Sequence, residues 1–140
     1  MHEPLNLDYK LRDQIVFDKE IDWVKEDKSG GTVSFPQLSI QKLNELKDLN
    51  FLELSECTNE SPTIEEFMTF LTKWDSTYKI YAHGYAVSPN RGDYRITIAG
   101  ITAESISEDF SKEFRTEFVN LLRFADDFTL NDRVAFVWYD

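Results

Sequence analysis

The strongest constraint in this chain is a pair of β-forming runs, Tyr78 to Val87 and Asp93 to Ile101, set on either side of Ser88-Pro89-Asn90-Arg91-Gly92. Both runs are rich in β-branched and aromatic residues. Pro89 presets the φ that opens a turn, and Gly92 offers a positive φ near its close. A β-hairpin over 78–101 follows, and it needs a partner layer because an isolated hairpin is marginal in water. Tyr81, His83 and Tyr85 alternate onto one face of its first strand. The register decides where that face looks. A four-residue loop sets Val87 opposite Tyr94 and puts His83 on the face of Ile96 and Ile98, as a tolerated core histidine. A five-residue loop sets Tyr85 opposite Arg95 and His83 opposite Thr97, which makes a polar aromatic surface.

Helical spacing surrounds the hairpin. Ile40, Leu43 and Leu46 recur at intervals of three behind Ser39, a good N-cap, and Asn50 suits the left-handed stop, so a helix is expected over 40–49. Thr63-Ile64-Glu65-Glu66 fits a capping box, and Phe67, Phe70, Leu71 and Trp74 line one side of a helix over 63–75. Ser105-Ile106-Ser107-Glu108 offers a second such box, and Phe110, Phe114, Phe118, Leu121, Leu122 and Ala125 extend a helix over 106–125. Between it and a C-terminal strand at 133–139, residues 126–132 read as a polar connection.

The first 35 residues are ambiguous. Ile15-Val16-Phe17 and Ile21 to Val24 suit strands or helical turns, Lys28 to Gly31 suits a turn, and Thr32 to Phe35 suits a short edge strand closed by Pro36. The fold class expected is α+β: a small, mainly antiparallel sheet built from the hairpin and the last strand, with room for N-terminal strands. About three helices would cover one of its faces. With 140 residues there is room for one domain, 1–140.

Composition narrows the functional classes. Eleven Phe, six Tyr and three Trp are too many for a disordered chain. A net charge of -11 works against generic DNA or RNA binding, which depends on neutralising phosphates. Met1 to Lys10 lacks the apolar core of a signal peptide, no run approaches a membrane span, and Cys57 is the only cysteine. Together these point to a cytoplasmic protein without disulfides and without a membrane partner.

No motif imposes a chemistry. Cys57 is flanked by Glu56 and Glu60 rather than by the cations that activate a thiol. Asp126, Asp127 and Asp132 lack the alternating ligands of a calcium loop, and one Cys with two scattered His cannot make a zinc site. There is no nucleophile elbow, phosphate loop or helix-borne His pair, so neither cofactor nor metal is expected, and the balance tips against an enzyme. The tripeptide Arg91-Gly92-Asp93 would be displayed at the hairpin tip, but turn chemistry already accounts for its Gly and Asp.

Charge distribution is more suggestive. Residues 1–70 hold 15 acids against 7 bases, and 53–66 carries Glu53, Glu56, Glu60, Glu65 and Glu66 with no base. Such a surface speeds encounter with a basic protein, although acidity also serves solubility alone. The reading this favours is a non-enzymatic, acidic protein-binding module, of which an immunity- or antitoxin-type inhibitor of a basic partner is one concrete form, with those five glutamates as the docking surface. The alternative is a small-molecule binder or small enzyme using Tyr81, His83, Tyr85 and Arg95 on the hairpin. Exposed aromatics such as Trp138 also suit a homodimer interface.

Overall fold

A computed structural model describes residues 4–58 and 60–139. Among these, five helices and a five-stranded antiparallel sheet make the expected α+β architecture. In chain order the elements are α1 (Tyr9–Phe17), α2 (Trp23–Asp27), β1 (Thr32–Leu38), α3 (Ile40–Asp48), α4 (Ile64–Trp74), β2 (Lys79–Val87), β3 (Ile96–Glu104), α5 (Lys112–Leu121), β4 (Asp127–Leu130) and β5 (Val134–Trp138). The strands are ordered β1-β2-β3-β5-β4.

Local capping chemistry sets two helices as expected. Ser39 accepts from the Lys42 amide at 3.2 Å to start α3, and Asn50 takes φ +63° just beyond it. At α4 the Thr63 hydroxyl and Glu66 carboxylate bond each other's backbone amides, both at 3.1 Å, completing the capping box.

The N-terminal patches turn out to be helices, α1 and α2, started by Asp8 and Asp22. The expected helix over 106–125 contracts to Lys112–Leu121. Ser105 does not cap it, because its amide donates to the Arg133 carbonyl at 2.9 Å at the end of β3, and the Phe110 amide is likewise taken by Asp132. Ser111 is the true N-cap, and Phe124 at φ +57° turns the chain out of the helix. Residues 127–130, expected in a polar connection, pair with β5 as an edge strand. Pro36 does not end β1. The strand runs on to Leu38 through an irregularity after Phe35, and on an edge strand a residue without an N–H leaves no ladder bond unmade.

The hairpin keeps neither expected register. Its loop spans 88–94, with the Val87 amide bonded to the Arg95 carbonyl at 2.8 Å and Tyr85 opposite Thr97. A bulge at Ala99 then shifts the pairing, so His83 stands opposite Gly100. The loop is held from outside: the Ser88 amide donates to Gly31 O, and Arg91 donates to Gly30 O. Positive φ falls at Gly30 and Gly31, not at Gly92.

The core lies between the helices and one face of the sheet. Ile80, Ala82 and Ala86 of β2, Ile98, Ile101 and Ala103 of β3, and Ala135 and Val137 of β5 share a single apolar cluster with Phe67 and Leu71 of α4 and Phe114 and Phe118 of α5. The alternate residues of the same strands lie outside that cluster.

Candidate binding surface on the open sheet face

Strand parity sends Tyr81, His83 and Tyr85 of β2 away from the helices. Thr97, Gly100 and Thr102 of β3, Phe136 and Trp138 of β5, and Ser34 of β1 join them through direct cross-strand pairing. His83 therefore does not sit with Ile96 and Ile98. Its ring passes over Gly100, which has no side chain, and stacks on Phe136 with centroids 5.3 Å apart and planes at 16°. This face carries a trough of about 630 Å³, lined among others by Ser34, Pro36, His83, Tyr85, Ala99 and Trp138.

His83 Nε2 is buried and meets no acceptor in hydrogen-bonding geometry. Burial pushes the imidazole below its ordinary value of about 6.5, and the nearby backbone of Val137 and Ile101 offsets only part of that. The unfolded chain then binds a proton more readily than the folded one. His83 thus contributes stability that is present above about pH 6.5 and lost as pH falls through the lowered folded value. The wild-type urea midpoint is expected to fall from pH 7 to pH 5 by more than that of His83→Phe; equal falls would assign the acid sensitivity elsewhere.

Arg95 is on this face but outside the trough. Its Nε donates to Glu56 Oε1 at 3.0 Å and to Thr97 Oγ1 at 2.9 Å, Nη1 bonds Asp93 at 2.8 Å, and the guanidinium lies 5.9 Å from the Tyr85 ring centre. It is held by the protein's own groups. Burial pushes the Glu56 carboxyl above the ordinary carboxylate range in spite of Thr97 and Arg95, and its Oε2 finds no donor. Arg91 folds back on Asp93 at 2.6 Å, so the Arg91-Gly92-Asp93 tripeptide is internally paired.

The five glutamates are not brought together as one free acidic surface. Glu56 is half-buried against β3, and Glu66 caps α4 and lies 3.6 Å from Arg123. Glu53 is partly buried, whereas Glu60 and Glu65 are exposed. Glu65 borders shallow grooves on both sides of α4. The sequence segment holds no base, but the fold supplies two from later in the chain, Arg95 and Arg123.

Cys57 is exposed, and His2, the other histidine, lies outside the described residues. Among the described residues no group of three or more His, Cys, Asp or Glu side chains converges to hold a metal ion, and no helix is long and apolar enough to cross a membrane. Sequence reasoning passed over Ser34 and Asp127 as members of the open face. For Asp127 the signal is the parity of the last strands, readable only once β4 is known to be a strand, and for Ser34 it is the parity of β1. Set against known protein families, curated proteins and solved structures, the chain finds no match in any of the three, so its function rests on its own residues.

Proposed function

We propose that the protein is a non-enzymatic binding module that captures a basic partner protein on the open face of its sheet. The observation that carries this reading is the row of Tyr81, His83, Tyr85, Phe136 and Trp138, none of which belongs to the core cluster. Tyr and Trp anchor protein interfaces because they bury much area with little conformational entropy and keep a polar tip. The net charge of -11 selects the sign of the partner. An immunity- or antitoxin-type inhibitor of a basic protein is the biological form that fits this description. The glutamates first read as the docking surface become a source of long-range attraction, with Glu60, Glu65 and Glu66 exposed.

The alternative, a ligand or catalytic site shared by His83 and Arg95, is disfavoured by geometry, since Arg95 is tied to Glu56 and Asp93 outside the trough. Affinity capture from the native cell, run at low and high salt with wild type and Trp138→Ala as baits, tests the proposal. A basic polypeptide retained by wild type, reduced by salt and reduced by the substitution is the expected result. Equal recovery on both baits, or recovery of no basic polypeptide, overturns it, and light scattering of the purified chain separates partner capture from self-association.

A further inference from the structure

Resting on that reading, we infer that Trp138 and Asp127 form a receptor for an arginine side chain of the partner. The two residues are direct cross-strand partners, Asp127 on β4 and Trp138 on β5, so both project from the open face. Side chains so placed have Cβ atoms about 4.5–5.5 Å apart, near enough for one group to touch both. Trp138 is 38% exposed, whereas Trp23 and Trp74 are 5% and 7% exposed.

The chain builds this arrangement for its own cations three times, once around Lys73, which lies 5.4 Å from the Trp74 ring centre and pairs with Glu113 and Glu117, and twice around arginines. Arg12 lies 5.5 Å from the Trp23 ring centre and 4.7 Å from that of Tyr94, tethered by Asp13 at 2.9 Å. Arg95 lies over Tyr85, tethered by Glu56 and Asp93. Trp138 and Asp127 present the same pair of groups, an aromatic face and a carboxylate. Among the described residues no cation of the chain lies over the one or pairs with the other.

The surroundings favour arginine over other ligands. A planar guanidinium stacks on an indole and carries several donors, while an ammonium is a compact, strongly hydrated charge. The trough beside Trp138 offers an acceptor in the Ser34 hydroxyl and no charged side chain lines it, whereas the Tyr85 hydroxyl at its other side already accepts from Arg95 Nη2 at 3.4 Å. An anionic group would meet the Asp127 carboxylate and the negative field of the whole chain.

Acrylamide quenching of tryptophan fluorescence reads the site directly, because Trp138 is the exposed indole of the three. A short oligoarginine peptide is expected to shield it from acrylamide, and an oligolysine peptide of equal length to shield it less. Asp127→Asn should weaken the oligoarginine affinity about fivefold, the loss that one exposed cation contact carries. By calorimetry, Trp138→Phe should keep part of the affinity that Trp138→Ala loses. Undiminished quenching at saturating oligoarginine, or equal affinity for Asp127→Asn, overturns the receptor. The binding module itself stands or falls separately: a captured partner that needs Trp138 but not Asp127 leaves the module intact and removes the receptor.

Discussion

Replacing Arg12 by alanine is expected to lower the unfolding free energy by about 3–5 kcal/mol, a large fraction of the roughly 5–15 kcal/mol that holds a domain of this size together. Arg12 is fully buried at 0% exposure. Its Nε donates to Asp13 Oδ1 at 2.9 Å, its Nη1 donates to the Val87 carbonyl at 2.9 Å, and its plane is flanked by Trp23 and Tyr94. Asp13 Oδ2 accepts from Trp23 Nε1 at 2.7 Å, so one guanidinium links α1, the start of α2 and the loop end of the hairpin. Removing it leaves a buried carboxylate with a single donor and a strand-end carbonyl without one. Burial already pushes Asp13 above the usual carboxylate range despite both partners. With Arg12 gone nothing opposes that rise except Trp23, and the Asp13 carboxyl is pushed further up. Arg12→Lys should fare little better, since one ammonium cannot stack between two rings and also reach Asp13 and Val87. The double variant Arg12→Met, Asp13→Asn removes both charges while keeping an acceptor for Trp23, so it should lose less than Arg12→Met alone. Urea unfolding of the four variants checks this; a cost below about 1 kcal/mol for Arg12→Ala would mean the pair adds nothing net.

None of this cluster was legible beforehand, although each residue stood in plain view. Arg12 and Asp13 read as two more charges in an ambiguous region, because the partners that bury them, Val87 and Tyr94, lie over 70 positions away. Features governed by side chain to backbone bonds over three or four residues were legible, as at Ser39, Asn50, Thr63 and Glu66. The same local pattern at Ser105 and Glu108 misleads, because the Arg133 and Asp132 carbonyls accept the Ser105 amide that a capping box gives to Glu108 and the Phe110 amide that a helix from 106 gives to Ile106. Tyr81, His83 and Tyr85 group by their period of two, but the sequence leaves the direction of the group open between two registers. That depended on a loop moored to Gly30 and Gly31 and on a bulge at Ala99, both products of tertiary pairing. The acidic run 53–66 shows the opposite failure: a contrast sharp in sequence is blunted in space by Arg95 and Arg123.

Gly100→Ala should be the most damaging conservative change on the sheet, costing about 3 kcal/mol or more, at or above the upper end of what overpacking usually costs. A Cβ at this position would stand 1.8 Å from the Val137 carbonyl oxygen and 2.6 Å from Cε1 of His83. Neither neighbour can yield cheaply. Val137 O belongs to β5, which is paired on both sides, by β3 and by β4. The His83 ring is held by its stack on Phe136 and lines the trough together with Tyr85 and Trp138. The glycine at 100 is thus the condition for two things at once: close passage of β5 past the bulge at Ala99, and the placement of His83 flat on the open face. Gly84→Ala meets a similar obstacle in the Thr97 carbonyl at 1.9 Å. Gly92→Ala is the control, since a Cβ there meets nothing within 4 Å and the backbone needs no positive φ. That variant should lie within about 1 kcal/mol of wild type and on the stabilising side, because alanine narrows the unfolded ensemble. If Gly100→Ala unfolds at the same denaturant concentration as Gly92→Ala, β5 is free to move away from β3, and the face that carries His83, Phe136 and Trp138 is not a rigid one. If it unfolds early while Gly92→Ala does not, the open face is built on backbone contacts that admit no side chain, and its aromatic groups are held in place before any partner arrives.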